Sequence, residues 1–177
     1  MRIRLALQVQ CALLIGAMLS LCCARADADV MTRPEYALKA AFIYNFALFT
    51  TWPDRLDRTI TLCVLGPDPF GAALDPLNGK QVGAAKLAVR RMKNRSEAVS
   101  GCQIVFVAES ELDNYLDAQV APGVLTIADS KGAAQRGIMI ELTAENRKIG
   151  FEFNQTKALQ ASVPVSSKLL RIARRVY

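Results

Sequence analysis

The stretch Thr59-Ile60-Thr61-Leu62-Cys63-Val64-Leu65-Gly66-Pro67-Asp68-Pro69 is an apolar, β-branched run closed by a glycine and two prolines. It reads as a strand buried on both faces, because a half-exposed strand would alternate apolar and polar residues. Asp68-Pro69 then opens a short helix through Phe70, Ala73 and Leu74, ending before the turn signal Asn78-Gly79. Further strands are read at Lys86 to Met92, Cys102 to Ala108 and Val124 to Ala128, with a helix from Ser110 through Leu112, Tyr115 and Leu116. The order strand, helix, strand, strand, helix, strand predicts an α/β fold, a single domain with a mostly parallel sheet flanked by helices.

Upstream of this stretch, Thr32-Arg33-Pro34-Glu35 reads as a helix start, with Pro34 in the first turn and Glu35 at the positive end of the macrodipole. Glu35 and Lys39 pair at i, i+4. Trp52-Pro53 ends the helix near Thr51, since the residue before a proline is pushed out of helical geometry. Leu38, Phe42, Phe46 and Phe49 form a stripe, and half of the aromatic residues of the chain lie between Tyr36 and Trp52. That density predicts burial on more than one side. Downstream, Ile138 to Leu142 and Lys148 to Phe153 flank Glu145-Asn146 and read as a C-terminal antiparallel hairpin on the sheet edge, with Ile149, Phe151 and Phe153 on one face. From Ser166 a terminal helix is expected, with Leu169, Leu170, Ala173 and Val176 apolar and Lys168, Arg171 and Arg175 as a solvated stripe.

The first residues decide the compartment. Met1-Arg2-Ile3-Arg4 carries two cations, residues 5 to 23 are almost wholly apolar, and Ala24-Arg25-Ala26 offers the small residues that a signal peptidase inspects. The chain thus divides into a signal peptide over residues 1–26, cleaved near Ala26, and a domain over 27–177 that works outside the reducing cytoplasm. A retained anchor, which needs about 20 apolar residues, and a lipid-modified Cys22 or Cys23 are the competing readings. Removing the signal takes away three of the 22 basic residues and none of the 16 acids, so the formal net charge falls from +6 to +3. A nucleic-acid binder gathers its excess charge into a patch. Here there are only two clusters, Arg90 to Arg95 and Lys168 to Arg175, and no nucleic-acid partner is expected.

Cys11, Cys22 and Cys23 leave with the signal, so Cys63 and Cys102 remain. Two thiols in an oxidising compartment suggest one bridge, which by chain entropy would stabilise by about 4 kcal/mol; two buried free thiols are the other reading. With no histidine, the two cysteines do not complete a tetrahedral zinc site, and neither a metal nor a cofactor is expected. Catalytic equipment is equally short. Gly66 to Gly71 sits where a phosphate loop would, but its prolines remove donors and no Gly-Lys-Ser/Thr follows. Ser166-Ser167-Lys168 lacks the three-residue offset of a serine and lysine nucleophile pair. Glu109, Glu111 and Asp113 have no spacing of a paired acid and base. No catalytic residue is assigned, and the reading is that this is not an enzyme.

Several segments together resemble the YfiR family. Ala40 to Phe49 with Trp52-Pro53 looks like the opening of that family; Leu62 to Gly66 with Asp68 to Gly71, Leu77 to Lys80 and Cys102 to Phe106 come next in order. Toward the end are Val124 to Asp129, Gly137 to Ile140, Ile149 to Asn154 and Ser166 to Leu170. The resemblance implies a periplasmic regulator that binds the periplasmic sensor region of an inner-membrane diguanylate cyclase of YfiN type. Such binding restrains cyclic-di-GMP synthesis and biofilm formation, and an outer-membrane lipoprotein of YfiB type can draw the regulator away. Cys63 and Cys102 fall at cysteine positions of the family, which implies their pairing and a redox-sensitive brake. This chain departs from well-studied relatives in having no second cysteine pair in its C-terminal half.

A brake of this kind needs exposed apolar surface. The candidates are the hairpin face with Ile149, Phe151 and Phe153, and the aromatic helix with its end at Trp52, for a heterologous partner or a homodimer. The alternative function is a periplasmic small-molecule binding module that uses the strand ends near Gly66 and Asp129, where parallel sheets leave a crevice.

Overall fold

The computed structural model describes residues 26–52, 58–92, 101–117 and 121–177. The chain divides into two units, Met1–Pro34 and Glu35–Tyr177, and all the described strands belong to the second. The signal peptide read over residues 1–26 falls almost wholly outside the described residues.

Helix α1 (Ala26–Phe49) begins earlier than the start read at Thr32 to Glu35, so Pro34 lies inside it. Proline has no amide N–H and breaks one i→i−4 bond, and the division between the two units falls at this residue. The C-terminal end of α1 is closed by its own sequence: the Thr50 hydroxyl donates to the Phe46 carbonyl and the Trp52 indole N–H to that of Ala47, both at 2.8 Å. These are carbonyls that a helix end otherwise leaves without partners.

Among the described residues the strands form one sheet of eight, in the order β2-β3-β1-β4-β5-β6-β7-β8. They are β1 (Thr59–Leu65), β2 (Gln81–Val82), β3 (Ala85–Met92), β4 (Ile104–Val107), β5 (Leu125–Ala128), β6 (Ile140–Glu145), β7 (Lys148–Phe153) and β8 (Arg175–Val176). β1 lies parallel between β3 and β4, and β4, β5 and β6 continue parallel, as the apolar runs predict. The hairpin β6–β7 is antiparallel, with Leu142 opposite Phe151. Its turn puts Asn146 and Arg147 at φ 51° and 61°, the pair of left-handed residues that a tight hairpin turn requires.

The hairpin is not the edge. β8 pairs parallel to β7 outside it, with Glu152 opposite Arg175. The terminal helix is correspondingly shorter than expected: α5 (Ser167–Leu170) makes one turn, after which Arg175 and Val176 extend as strand. Three further helices are short, α2 (Leu112–Leu116), α3 (Ala133–Arg136) and α4 (Gln155–Gln160).

Strand side chains alternate between faces, which splits the core in two. Ile60, Leu62 and Val64 of β1 join Ile104, Phe106, Leu125, Ile127, Phe151 and Phe153 under Ile43, Phe46 and Ala47 of α1. Cys63 and Leu65 point the other way and meet Val105, Val107, Leu112, Tyr115 and Ile138. Cys63 and Cys102 are joined as a disulfide on this second face, with Cα atoms 5.9 Å apart.

Candidate functional site

Between Glu35 and Asp54 the sequence holds one charged residue, Lys39, and the fold turns it inward to 4% exposure. Beyond Glu35 the outward face of α1 therefore presents no charge. Ala37, Leu38, Ala41, Asn45 and Leu48 are exposed along it, with Leu38 and Leu48 at 45% and 44%. A water-facing helix normally carries charged residues on that side, and uncharged apolar surface of this sort is what protein interfaces cover.

At its C-terminal end this face runs into a groove of about 430 Å3 lined by Leu48, Trp52, Arg58, Ile60, Val82 and Ala85 among others. Trp52 is half-buried there, its ring fixed by the bond to Ala47. The segment ending at Trp52 is anchored from the other side: the Thr51 amide donates to the Pro164 carbonyl, and Thr50 bridges Val165. The groove is thus held by rigid elements, which favours recognition.

A second concavity lies at the carboxyl end of β5. It measures about 420 Å3, and Glu35, Lys39, Asp129, Lys131, Glu141 and Glu152 are among its walls. Lys39 Nζ is 2.6 Å from Glu35 and 2.8 Å from Asp129, which also accepts from the Tyr36 hydroxyl. Burial opposes the ammonium, but its hydrogen bonds to Asp129 and Glu35 outweigh that and raise its pKa above the ordinary lysine value. Burial and then the Asp129 charge raise the Tyr36 phenol. Glu141, itself buried, accepts the amides of Gly132 and Ala134 at 3.0 Å each.

The other strand end singled out from sequence is closed. At Gly66, where φ is +88°, an added Cβ would lie 2.7 Å from Glu111 Cγ and 3.1 Å from Ala108 Cβ, so the side chain of Glu111 occupies the space over that glycine. Only glycine accepts both the positive φ and this approach. The loop beyond it is tied down by Asp68, which accepts the Phe70 amide and pairs with Arg91 at 2.7 Å.

Of the residues read as partner-facing, Trp52 and Ile149 are half-buried, while Phe151 and Phe153 are 1% and 0% exposed. The Phe151 ring packs edge-on against Phe46 at 5.0 Å and Phe42 at 6.3 Å. The two apolar faces picked out in the sequence, helix and hairpin, face each other and satisfy one another. Sequence reasoning put Leu38 in the inward stripe and passed over Leu48. The signal that identifies them is that Lys39 is the one charge between Glu35 and Asp54, which leaves no charged side for the helix once Lys39 is turned inward.

Among the described residues no helix is long and apolar enough to cross a membrane. Fold and surface together define a small α/β module with an uncharged, partly apolar helix face. The sequence model of a family described as YfiR/HmsC-like matches residues 36–174. The chain belongs to this family, one of periplasmic regulatory proteins. Comparison with curated proteins finds no match. Among solved structures, that of a conserved domain protein from Vibrio cholerae O1 biovar El Tor str. N16961 is similar, with a TM-score of 0.50 and 10% identity over 80% of this chain. This chain spans 60% of that one, and the likeness concerns the fold alone.

Proposed function

We propose that this chain is exported by cleavage of its leader near Ala26 and acts in the periplasm as a brake. It binds the periplasmic sensor region of an inner-membrane diguanylate cyclase and so restrains cyclic-di-GMP synthesis and biofilm formation. A lipoprotein of the outer membrane competes for it. Family membership supports the role, and the observation that carries the docking surface is the uncharged outer face of α1, from Leu38 to Leu48 and on to Trp52. Ile149 lies on the hairpin side of the same helix-covered core.

The test is binding of the purified protein to the isolated sensor region of the cyclase. Leu48→Glu places a charge on the docking face and lowers affinity at least tenfold, while the unfolding midpoint stays within the range of a surface change, about 0.5 kcal/mol. Deleting the gene raises cyclic-di-GMP in the host; an unchanged level removes the brake reading. A second reading, a small-molecule binding module, is favoured by the open cleft beside Asp129. It requires a ligand that raises the melting temperature and loses that effect in Asp129→Asn.

A further inference from the structure

The residues from Asn146 to Tyr177 carry Arg147, Lys148, Lys157, Lys168, Arg171, Arg174 and Arg175 against one acid, Glu152. All seven cations are exposed. They belong to one connected lobe. The Tyr177 carbonyl accepts the amides of Gln155 and Thr156, joining the start of α4 to the end of β8. The Arg174 side chain passes close to Gly150, where a Cβ would collide with it, and its guanidinium reaches Glu145 and the Lys148 carbonyl on the hairpin.

Most of this charge is uncompensated. Arg174 is paired with Glu145, and Arg175 rests against the ring and hydroxyl of Tyr177. The one acid is engaged as well, since Glu152 accepts the Tyr177 hydroxyl at 2.5 Å. Among the described residues Arg147, Lys148, Lys157, Lys168 and Arg171 make no ion pair. The same lobe holds the most exposed large aliphatic side chains, Leu159 at 70% and Ile172 at 65%, with Val176 at 42%. Ile172 directly follows Arg171.

We propose that this C-terminal lobe is a peripheral contact for an anionic phospholipid surface. Cations beside exposed aliphatic side chains are what such a surface takes: the headgroups meet the charges and the acyl boundary meets the apolar tips. A single-stranded nucleic acid calls instead for aromatic platforms, and the ring of the lobe's Tyr177 is already covered by Arg175. The inference is independent of which protein the α1 face binds.

The experiment is co-sedimentation of the exported protein with vesicles of phosphatidylglycerol and phosphatidylcholine, against phosphatidylcholine alone. Binding is expected on the anionic vesicles, with release at about 0.5 M salt, where screening is short-ranged. Each cation near the surface contributes about fivefold, so Lys168→Glu with Arg171→Glu lowers partition more than twentyfold. Lys148→Glu on the hairpin tip gives a smaller loss, as a check should the double variant fold poorly. Ile172→Asn lowers partition several-fold and leaves the salt dependence intact. Equal partition onto both vesicle types, or no partition, overturns the proposal. So does capture by a soluble polyanion such as heparin that Ile172→Asn leaves unchanged while the vesicles fail to bind.

Discussion

The two faces of the sheet are stabilised in different ways. Under α1 the core is aromatic and deep: Phe46, Phe70, Phe106, Phe151 and Phe153 are all buried there, linked by edge-to-face contacts such as Phe70 with Phe106 at 4.7 Å. The opposite face has no buried phenylalanine among the described residues, is roofed by the short helices α2 and α3, and carries the disulfide. A long helix brings a large apolar area to its sheet face, whereas one-turn helices have little area to offer and gain from a covalent staple.

The sharpest way to break this contrast is Phe46→Ala. The ring is fully buried against Phe42 and Phe151, and its loss costs about 4 kcal/mol; a urea midpoint near that of the parent would mean that the aromatic face is not the principal support. Next in size comes Cys63→Ala with Cys102→Ala. The bridge spans a separation of 39 residues; removing a disulfide commonly costs less than the chain-entropy figure of about 4 kcal/mol, so the pair of substitutions removes about 3 kcal/mol. The parent protein in reducing buffer falls by the same amount, and the variant is insensitive to reductant. A parent indifferent to reductant would dissolve the distinction between stapled and packed faces.

The smallest of the three concerns the contact between helix and sheet, where Lys39 of α1 meets Asp129 just beyond β5. Lys39→Met leaves the Asp129 carboxylate without its ammonium and destabilises by about 2 kcal/mol, less than for a fully buried pair because Asp129 keeps 14% side-chain exposure. The folded pKa of Lys39 lies above the ordinary value of 10.5. The stability due to this shift is therefore complete below that pH and disappears as pH rises through the folded value. An alkaline unfolding series is steeper for the parent than for Lys39→Met, and parallel curves would refute the pairing.

The same contrast explains what could be read in advance. Thr59–Leu65, Ile104–Val107 and Leu125–Ala128 were legible because strands buried on both faces are written as unbroken apolar runs. The hairpin was legible from its turn and alternation. Gln81–Val82 and Arg175–Val176 left no such trace: each is too short to show a period, and pairing with a neighbour defines it. That is also why the basic stripe after Ser166 read as a continued helix. The candidate surface was harder still. An aromatic helix and an aromatic strand look alike as interface or as core, and only their mutual packing, Phe46 on Phe151, decides that they cover each other and leave Leu38 and Leu48 outside.

The link between Cys63 and Cys102 also sets how the protein answers tension. Segment 64–101, with β2 and β3 inside it, lies within a closed ring that force applied to the two chain ends does not enter. At about 3.4 Å per extended residue the ring conceals about 130 Å of contour, so an oxidised molecule stretched between tethered neighbours stops short and a reduced one releases that extra length.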